Sequence, residues 1–299
     1  MSGRGAHFAF AARPHRDTPL ELEADYIVVG SGAGGASAAV TLARGGASVI
    51  VVEAGAWREP KDYPSSMYGA LRDTMDNWGL TMAQGKAIWP IVQGSCVGGT
   101  TVINSAIVVR TPGDIPREWS REHGFEGNGD ALAESIWTHQ DAIEREIQVT
   151  PVPVSAFGRS NTLAEAGARA LRLHDHHMDR NVSGCVGAGQ CLQGCRKGHK
   201  RSLNLNYIPE TVRRGGTVLS CAPVDRIRFE GKRAVGVTGR FRHPLTRRKG
   251  QRFSVRAKTA VLVAASATRS PVLLRRSGVR LPALGRYFRA HPGSGIFGV

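Results

Sequence analysis

A glycine-rich turn near the amino terminus has the spacing of a dinucleotide-binding loop. Glycines recur as Gly30-x-Gly32-x-x-Gly35 directly after the apolar run 26–29. The first glycine permits a tight turn, the second lets backbone N–H groups approach a diphosphate, and the third allows the following helix to pack closely. The positive end of that helix dipole would then face the anionic phosphates. The sequence therefore predicts a diphosphate site at this turn.

An acidic residue, Glu53, ends the second apolar run of the same segment, residues 49–52. A carboxylate at this distance from the glycines can accept hydrogen bonds from a ribose and would repel a 2′-phosphate, which disfavours NADP. A membrane segment is the alternative interpretation, because residues 26–43 contain no charged residue. The glycines, alanines and hydroxyl residues in that run make it only weakly apolar, so a strand, a turn and a helix are favoured.

Length and composition are those of a soluble globular protein with one large or two ordinary domains. The chain has 299 residues, of which 41% are hydrophobic and 21% are charged. The first twenty residues contain several arginines and no long apolar run, so we predict no secretory signal. A cytoplasmic location, or a membrane surface reached from the cytoplasm, is expected.

Charge is distributed unevenly along the chain. The formal net charge is +16, and the segment from Arg196 to Arg289 contains 24 Lys plus Arg against only three acidic residues. A basic half of this kind can indicate a nucleic-acid or anionic-membrane partner. No nucleic-acid fold signature accompanies it, so we expect no nucleic-acid partner and place the basic residues on solvated strand faces. Association with a membrane stays open.

The hydrophobic period changes in the second half of the chain. Runs 224–229, 234–241 and 252–257 alternate apolar and polar residues, which predicts a three-stranded antiparallel meander. The continuous apolar run 259–265 is typical of a buried parallel strand, and 270–279 indicates a short helix. The initial strand–helix–strand unit and this late strand together predict an α/β fold in which ligands bind at the carboxyl ends of parallel strands.

Four segments together resemble the glucose-methanol-choline (GMC) family of FAD-dependent alcohol oxidoreductases. They are VVGSGAGGASAAVTLARGGASVIVVEAG (28–55), GSCVGGTTVINSAIVVRTP (94–112), CVGAGQCLQGCRKGHKRSLNLNYIP (185–209) and VLVAASATRSPVLLRRSGV (261–279). The resemblance covers residues 24–299. A NAD-linked dehydrogenase would share the first segment but would leave the second and fourth unexplained.

The resemblance implies an α/β fold with a Rossmann-like FAD-binding domain, made of a parallel sheet plus the meander, and part of a substrate-binding domain. Residues 24–111 and 206–299 are assigned to the FAD-binding domain. Residues 112–205 are assigned to an inserted helical and Cys/Gly-rich segment of the substrate domain. Residues 1–23 are interpreted as a polar amino-terminal tail.

The resemblance also implies which residues hold FAD. The implied cofactor-binding residues are Gly30, Gly32, Gly35, Glu53, Gly98, Gly99, Asn104 and Val224. The first three would hold the pyrophosphate, Glu53 the adenosine ribose, and the Val224 backbone the adenine edge. Gly98, Gly99 and Asn104 would approach the isoalloxazine ring and the phosphates. Ile103 stands where some members carry a histidine joined to flavin, so noncovalent FAD is expected.

The implied reaction oxidises the CH–OH group of a small-molecule alcohol by hydride transfer to flavin N5, with oxygen, a quinone or a carrier protein as electron acceptor. In the family, the catalytic histidine lies in a carboxyl-terminal part that has no counterpart in this sequence, so no catalytic residue is assigned. We therefore expect the amino-terminal part of a longer enzyme. The alternative is a truncated, non-catalytic FAD-binding module or one half of a split enzyme.

Three cysteines are clustered in the third segment. The spacing of Cys185, Cys191 and Cys195, followed by His199, could offer ligands to zinc or to an iron–sulfur cluster. Paired CxxC motifs, the usual metal signature, are missing from the sequence. We therefore predict no metal site and interpret this segment as a structural loop with at most one disulfide.

Overall fold

The computed structural model describes residues 5–10, 18–85, 88–124 and 129–289. The chain divides into two compact units. The first unit consists of Met1–Ala56 and Glu210–Val299, and the second is Trp57–Pro209. The carboxyl-terminal residues 290–299, which the sequence analysis included in the FAD-binding domain, lie outside the described residues.

The strands and helices are numbered in chain order. The strands are β1 (Ala6–Phe8), β2 (Leu20–Val29), β3 (Val49–Val52), β4 (Thr81–Ala83), β5 (Trp89–Ile91), β6 (Val149–Pro151), β7 (Asp179–Asn181), β8 (Thr217–Leu219), β9 (Val224–Glu230), β10 (Arg233–Arg242) and β11 (Lys249–Val263). The helices are α1 (Ala33–Arg44), α2 (Met67–Asp73), α3 (Asp114–His123), α4 (Gly129–Glu146), α5 (Arg159–Ala170), α6 (Tyr207–Arg213) and α7 (Ser266–Arg276).

The first unit contains a seven-stranded sheet in the order β1-β8-β3-β2-β11-β10-β9. The first five strands of that order pair in parallel, whereas β11, β10 and β9 form antiparallel pairs. The predicted combination of a parallel sheet with a three-stranded meander is confirmed. The fully buried β3 has the continuous apolar sequence expected of a strand inside a parallel sheet.

A single long strand, β11, replaces two predicted ones. The hydrophobic pattern separates runs 252–257 and 259–265, but one strand extends from Lys249 to Val263 and pairs with β2 from Phe253 to Val263. A register shift between Ala257 and Ala260 interrupts the side-chain alternation. Because the backbone ladder continues past such an irregularity, one strand can show two different hydrophobic patterns.

Part of the segment interpreted as a polar tail belongs to the sheet. Residues Ala6–Phe8 form β1, which pairs in parallel with β8, and β2 already begins at Leu20. A three-residue strand is too short to show a periodic pattern, and its pairing depends on backbone groups that the side chains do not reveal. The structure therefore differs here from the interpretation of residues 1–23.

The core of the first unit has two parts. One lies between α1 and the sheet, and the other lies on the buried side of the meander. On α1 the residues Ala36, Ala39, Val40 and Ala43 are buried, which is the spacing of one helix face. In the meander, Phe241 and Phe253 are buried and their rings meet edge to face, 5.5 Å apart. Burial of these apolar side chains stabilises the sheet that carries the glycine turn.

The second unit contains α2 to α5 and two two-stranded sheets, β4-β5 and β6-β7. The longest helix described, α4, has 18 residues and lies within the inserted segment that was predicted to be helical. One cluster of buried side chains in the second unit is formed by Tyr63, Ala70, Met75, Cys96, Val102 and Ile103. Residues 57–111 belong to this unit, although they were grouped with the FAD-binding domain, and that functional grouping stays a prediction. None of the helices described is both long and apolar enough to cross a bilayer.

Candidate functional site

The segments that follow four parallel strands meet at one edge of the sheet. The amide of Gly30 donates to the carbonyl of Val52 at 2.9 Å, which joins the ends of β2 and β3. The amide of Glu53 donates to Leu219 of β8, and that of Ala264, after β11, donates to Val29, each at 2.8 Å. This carboxyl edge is where α/β sheets bind their ligands.

Two glycines of the turn leave no room for a side chain. Gly30 has a φ of +101°, and a Cβ there would lie 2.4 Å from the carbonyl oxygen of Ala264. A Cβ at Gly35 would lie 1.9 Å from the carbonyl oxygen of Gly30. Both obstacles are backbone atoms, which cannot turn aside as a side chain can. The loop, the helix and β11 therefore approach each other at distances that only glycine permits.

The amino terminus of α1 presents backbone donors. Gly32 is the N-cap residue, no side chain caps the helix, and its first turn contains no acidic residue. The first N–H groups of a helix have no intrahelical acceptor. Gly34, in this turn, is exposed, with no atom within 4 Å of the place a Cβ would take. An anion such as a diphosphate fits this donor set.

Glu53 ties the glycine loop to the end of β3. Its side chain is buried, with 7% of its surface exposed. One carboxylate oxygen accepts hydrogen bonds from the Ser31 amide at 2.9 Å and the Ser31 hydroxyl at 2.7 Å, and the other accepts from the Gly55 amide at 2.8 Å. Burial raises the pKa of Glu53, and these hydrogen bonds oppose that rise.

Ser31 was missed by the sequence analysis, which considered only the glycines of the turn. It is fully buried, and both of its donors reach Glu53. The acid at the end of β3 therefore shapes the loop in addition to any contact it makes with a nucleotide. A serine between the first two glycines, paired with that acid, was the available signal.

Val224 lies close along the chain to this arrangement. The amide of Ala222 donates to the Glu53 carbonyl and the amide of Cys221 donates to the Gly55 carbonyl, each at 2.8 Å. Val224 then begins β9, opposite Gly239 of β10. The structure thus brings the segment before Val224 to the end of β3, while the contact of Val224 with adenine stays a prediction.

Ser266 occupies a backbone conformation that favours glycine. Its φ is +77°, in the left-handed region. Its hydroxyl accepts from the Arg269 amide at 3.3 Å and lies 3.1 Å from the Thr268 hydroxyl, so it helps to cap α7. A polar contact inside the protein thereby offsets part of the backbone strain at the end of the late strand.

In the second unit, Gly98 and Gly99 form a tight turn. Their φ angles are +93° and +55°. A Cβ on Gly98 would lie 2.9 Å from the Val102 side chain and 3.0 Å from the amide nitrogen of Asn204. The Thr101 hydroxyl donates to the Gly98 carbonyl at 2.6 Å and accepts from the Leu203 amide at 3.2 Å. The turn is therefore packed directly against residues 203–204.

Asn104 ends this element, which we call the 98–104 loop. Its side-chain oxygen accepts from the Ala106 amide at 3.1 Å, which supports the positive φ of +62° at Ala106. Ile103, before it, is buried, with 3% of its surface exposed. The structure shows Gly98, Gly99 and Asn104 together in one loop, and their approach to a flavin ring stays a prediction.

A buried lysine that the sequence analysis did not select holds the 98–104 loop. Lys200 is 1% exposed, and its ammonium donates to the carbonyls of Val102 at 2.5 Å, Asn104 at 2.9 Å and Cys191 at 2.7 Å. Burial lowers the pKa of Lys200 to about 8. In the sequence this lysine belongs to a basic run, Arg196 to Arg201, and nothing distinguishes it there from its solvated neighbours.

Asn204 and Tyr63 complete this polar network. The Asn204 amide donates to the Tyr63 hydroxyl at 2.7 Å, and its oxygen accepts from the Ser202 hydroxyl at 2.7 Å. Burial raises the pKa of the Tyr63 phenol. Residues 200–204 thus supply the side chains that position a loop about a hundred residues earlier in the chain.

The cysteines form no disulfide in the structure, whereas the sequence analysis allowed for one. The sulfur of Cys191 instead accepts a hydrogen bond from the Arg180 guanidinium at 2.9 Å. That guanidinium also donates to the Ser105 carbonyl, at 2.6 Å and 3.0 Å. Across the residues that the structure describes, no cluster of three or more His, Cys, Asp or Glu side chains could hold a metal ion.

Comparison with known proteins identifies the family. The family model described as GMC oxidoreductase matches residues 24–293. The chain belongs to the GMC oxidoreductase family. An uncharacterized GMC-type oxidoreductase of Mycobacterium tuberculosis is 37% identical over 288 residues, which are 95% of this chain and 44% of that protein. The chain thus spans about half the length of the curated relatives it matches.

Relatives of known activity are more distant. A long-chain-alcohol oxidase of Arabidopsis thaliana is 29% identical over 302 residues, covering 98% of this chain and 39% of the oxidase. Among solved structures, formate oxidase of Aspergillus oryzae matches with a TM-score of 0.64 and 16% identity, over 88% of this chain and 48% of that one. This structural likeness shows a common α/β fold.

Proposed function

We propose that this chain binds FAD and belongs to an oxidoreductase that acts on the CH–OH group of a small-molecule alcohol. The observation that carries the proposal is the arrangement of Gly30, Gly35 and Glu53 at the carboxyl edge of the parallel sheet. Membership of the GMC oxidoreductase family supports it, as does similarity to a long-chain-alcohol oxidase and to an oxygen-dependent choline dehydrogenase of Xanthomonas euvesicatoria.

The residues present fit the adenine-nucleotide part of FAD. The uncapped first turn of α1 supplies backbone N–H donors for the diphosphate. Backbone atoms leave no room for a Cβ on Gly30 or Gly35, so only glycine allows this turn to form. The Glu53 oxygen that accepts from the Gly55 amide can accept a second hydrogen bond, and a ribose hydroxyl is a suitable donor for it. Ile103 offers no atom that could bond to flavin, which favours noncovalent FAD.

The proposed role of the chain's own residues is to bind FAD and to hold the glycine turn and the 98–104 loop in position. FAD, when bound, supplies the hydride acceptor for alcohol oxidation at N5. Ser31 and Glu53 hold the loop in which the diphosphate is bound, while Lys200 and Asn204 keep the 98–104 loop in one conformation. Substrate oxidation also requires a base for the hydroxyl proton, and we assign that role to none of the residues described. The electron acceptor would be oxygen, a quinone or a carrier protein.

Titration of the purified chain with FAD tests the proposal directly. We expect a yellow protein with a flavin spectrum, and we expect ADP to compete with FAD for binding. Glu53→Gln should weaken FAD binding by about 10- to 100-fold, because it replaces a charged acceptor in a buried hydrogen-bond set. Glu21→Gln, at an exposed position of β2 in the same unit, is the matched control and should leave affinity unchanged.

Two outcomes would decide against the proposal. A chain that folds, as judged by circular dichroism, but neither retains nor takes up FAD would contradict the nucleotide site. Tight NAD binding without FAD binding would indicate a NAD-linked dehydrogenase instead. Turnover of an alcohol panel with an artificial acceptor then separates an enzyme from a module that binds flavin without oxidising substrate.

A further inference from the structure

The outward side of the meander carries a cluster of arginines. We call this the arginine face and define it by Arg226 and Arg228 of β9, Arg240 of β10, and Arg252 and Arg256 of β11. All except the half-buried Arg240 are exposed. The opposite side of the same strands is the hydrophobic core, with Ile227, Val237, Phe253 and Val255 buried. The alternation of strand residues therefore gathers these arginines on one surface.

Strand register places the arginines around a centre of small residues. Arg252 lies directly opposite Arg240. In the next row Ser254 pairs with Thr238, and Thr238 pairs with Arg226. In the third row Gly236 lies opposite both Arg256 and Arg228. The three rows are Arg252–Arg240, Ser254–Thr238–Arg226 and Arg256–Gly236–Arg228. Long cationic side chains thus surround two hydroxyls and a glycine.

Two parts of the same surface differ in how their charge is compensated. Toward β2, Arg256 lies 3.8 Å from Glu23, and Lys258 lies 3.5 Å from the same carboxylate. Among the residues that the structure describes, no carboxylate lies within 4 Å of Arg226, Arg228, Arg240 or Arg252. The Arg228 guanidinium instead reaches the Ser254 hydroxyl at 3.3 Å.

This uncompensated charge is unfavourable for the isolated chain. Like charges directly opposite each other on neighbouring strands destabilise a sheet, and Arg252 and Arg240 are such a pair. An anionic partner would remove this repulsion. Each guanidinium group can form two parallel hydrogen bonds to the oxygens of a phosphate. The register therefore favours a ligand that bears several phosphates in one plane.

We propose that the arginine face docks the protein onto an anionic phospholipid surface. Each basic residue brought to such a surface adds favourable electrostatic energy, so four or five on one open face suffice for reversible peripheral binding. The proposal concerns the meander alone and does not depend on FAD binding or on catalysis.

Nucleic acid fits this face less well. The outward positions of these rows contain no aromatic side chain on which bases could stack, and no helix projects from them to enter a major groove. A face formed by adjacent strands can present its arginines to many headgroups at once.

Sedimentation with vesicles tests the proposal. The 299-residue chain should bind vesicles of phosphatidylserine and phosphatidylcholine but not of phosphatidylcholine alone, and binding should weaken as salt rises. The triple variant Arg226→Gln, Arg240→Gln, Arg252→Gln should reduce partitioning on the order of 100-fold. Its melting temperature should equal or exceed that of the parent, because the Arg240–Arg252 repulsion is relieved.

A second triple variant, Arg213→Gln, Arg276→Gln, Arg286→Gln, removes the same charge from exposed positions of the same unit that lie outside the meander. It should reduce partitioning by less than about fivefold, since exposed charges distant from the contact are screened. Equal losses in both variants would show that net charge alone is responsible and would overturn the proposal. Tighter binding to duplex DNA or to polyglutamate than to the anionic vesicles, at equal salt, would also overturn it.

Discussion

The glycine turn at 30–35 and the 98–104 loop are built from similar residues but are held in different ways. Each contains a glycine whose Cβ would collide with neighbouring atoms. The first is closed by the backbone of Gly30 and Ala264 and by Glu53, 22 positions after Ser31. The second is held by the ammonium of Lys200, 98 positions after Val102. A steric fit against backbone thus contrasts with a polar network centred on one ammonium group.

This difference determines which substitutions and which pH changes should disrupt each loop. A steric fit against backbone fails when any atom is added, and it does not depend on pH. A network centred on one buried ammonium fails when its donor is removed, and its contribution to stability changes as that donor titrates. Three experiments separate the two cases, and a fourth tests backbone strain at Ser266.

The largest expected effect comes from adding one methyl group at the first loop. Gly35→Ala should lower the free energy of unfolding by about 3 kcal/mol or more, because the new Cβ would lie 1.9 Å from the Gly30 carbonyl oxygen. Gly34→Ala is the matched control, since no atom lies within 4 Å of its Cβ position. It should stabilise α1 by roughly 0.5–1 kcal/mol. Urea unfolding measures both, and similar stabilities would contradict the steric interpretation.

Alkaline pH should act on the second loop only. The pKa of Lys200 is lowered from 10.5 to about 8 in the folded chain, so the unfolded chain binds more protons between these values. The free energy of unfolding should therefore rise by about 3 kcal/mol from pH 8 to 10.5 through this group. The rise should be missing in Lys200→Met and retained in Glu53→Gln. Parallel pH profiles for all three proteins would refute the assignment.

Removing the ammonium at pH 7 should have a smaller net effect. Lys200→Met deprives three carbonyls of a donor, a loss of roughly 5 kcal/mol, but it also removes the roughly 3 kcal/mol burden of a buried charge. We expect a net destabilisation of about 2 kcal/mol. Lys197→Met, at an exposed position, should change stability by less than about 0.5 kcal/mol. Equal effects of the two substitutions in thermal unfolding would argue against the network.

The smallest effect is expected at Ser266, in the first unit. Ser266→Ala keeps the unfavourable φ of +77° and loses the acceptor for the Arg269 amide, so it should destabilise by about 1 kcal/mol. Ser266→Gly loses the same acceptor but relieves the backbone, so it should lie within about 0.5 kcal/mol of the parent. A glycine variant less stable than the alanine variant would exclude backbone strain at this position.

The sequence predicted those parts of the fold whose interactions are close along the chain. The apolar run at 49–52 and the alternation in 224–257 depend on burial of one or both strand faces, and each pattern is complete within a few residues. Pairing between distant segments leaves no such pattern. For that reason β1 was not predicted, and β11 was divided at the register shift between Ala257 and Ala260.

The candidate site divides in the same way. Gly30, Gly35 and Glu53 were selected because one short segment contains both the turn and the acid that faces it. Ser31 was overlooked within that segment, although its two bonds to Glu53 are local. Lys200 could not have been selected, because the sequence does not distinguish a buried lysine from a surface lysine within a basic run. Asn204 likewise shows its role only through its contacts in the folded chain.

The amino-acid sequence by itself determined the glycine turn, the acid after β3, and the presence of both parallel strands and an antiparallel meander, because backbone sterics and hydrophobic period act between near neighbours. Only the tertiary structure decided that Lys200 would be buried on three carbonyls and that the meander's arginines would share one face. Burial and register arise when distant segments pack, and they change the energy of a charge without changing its identity.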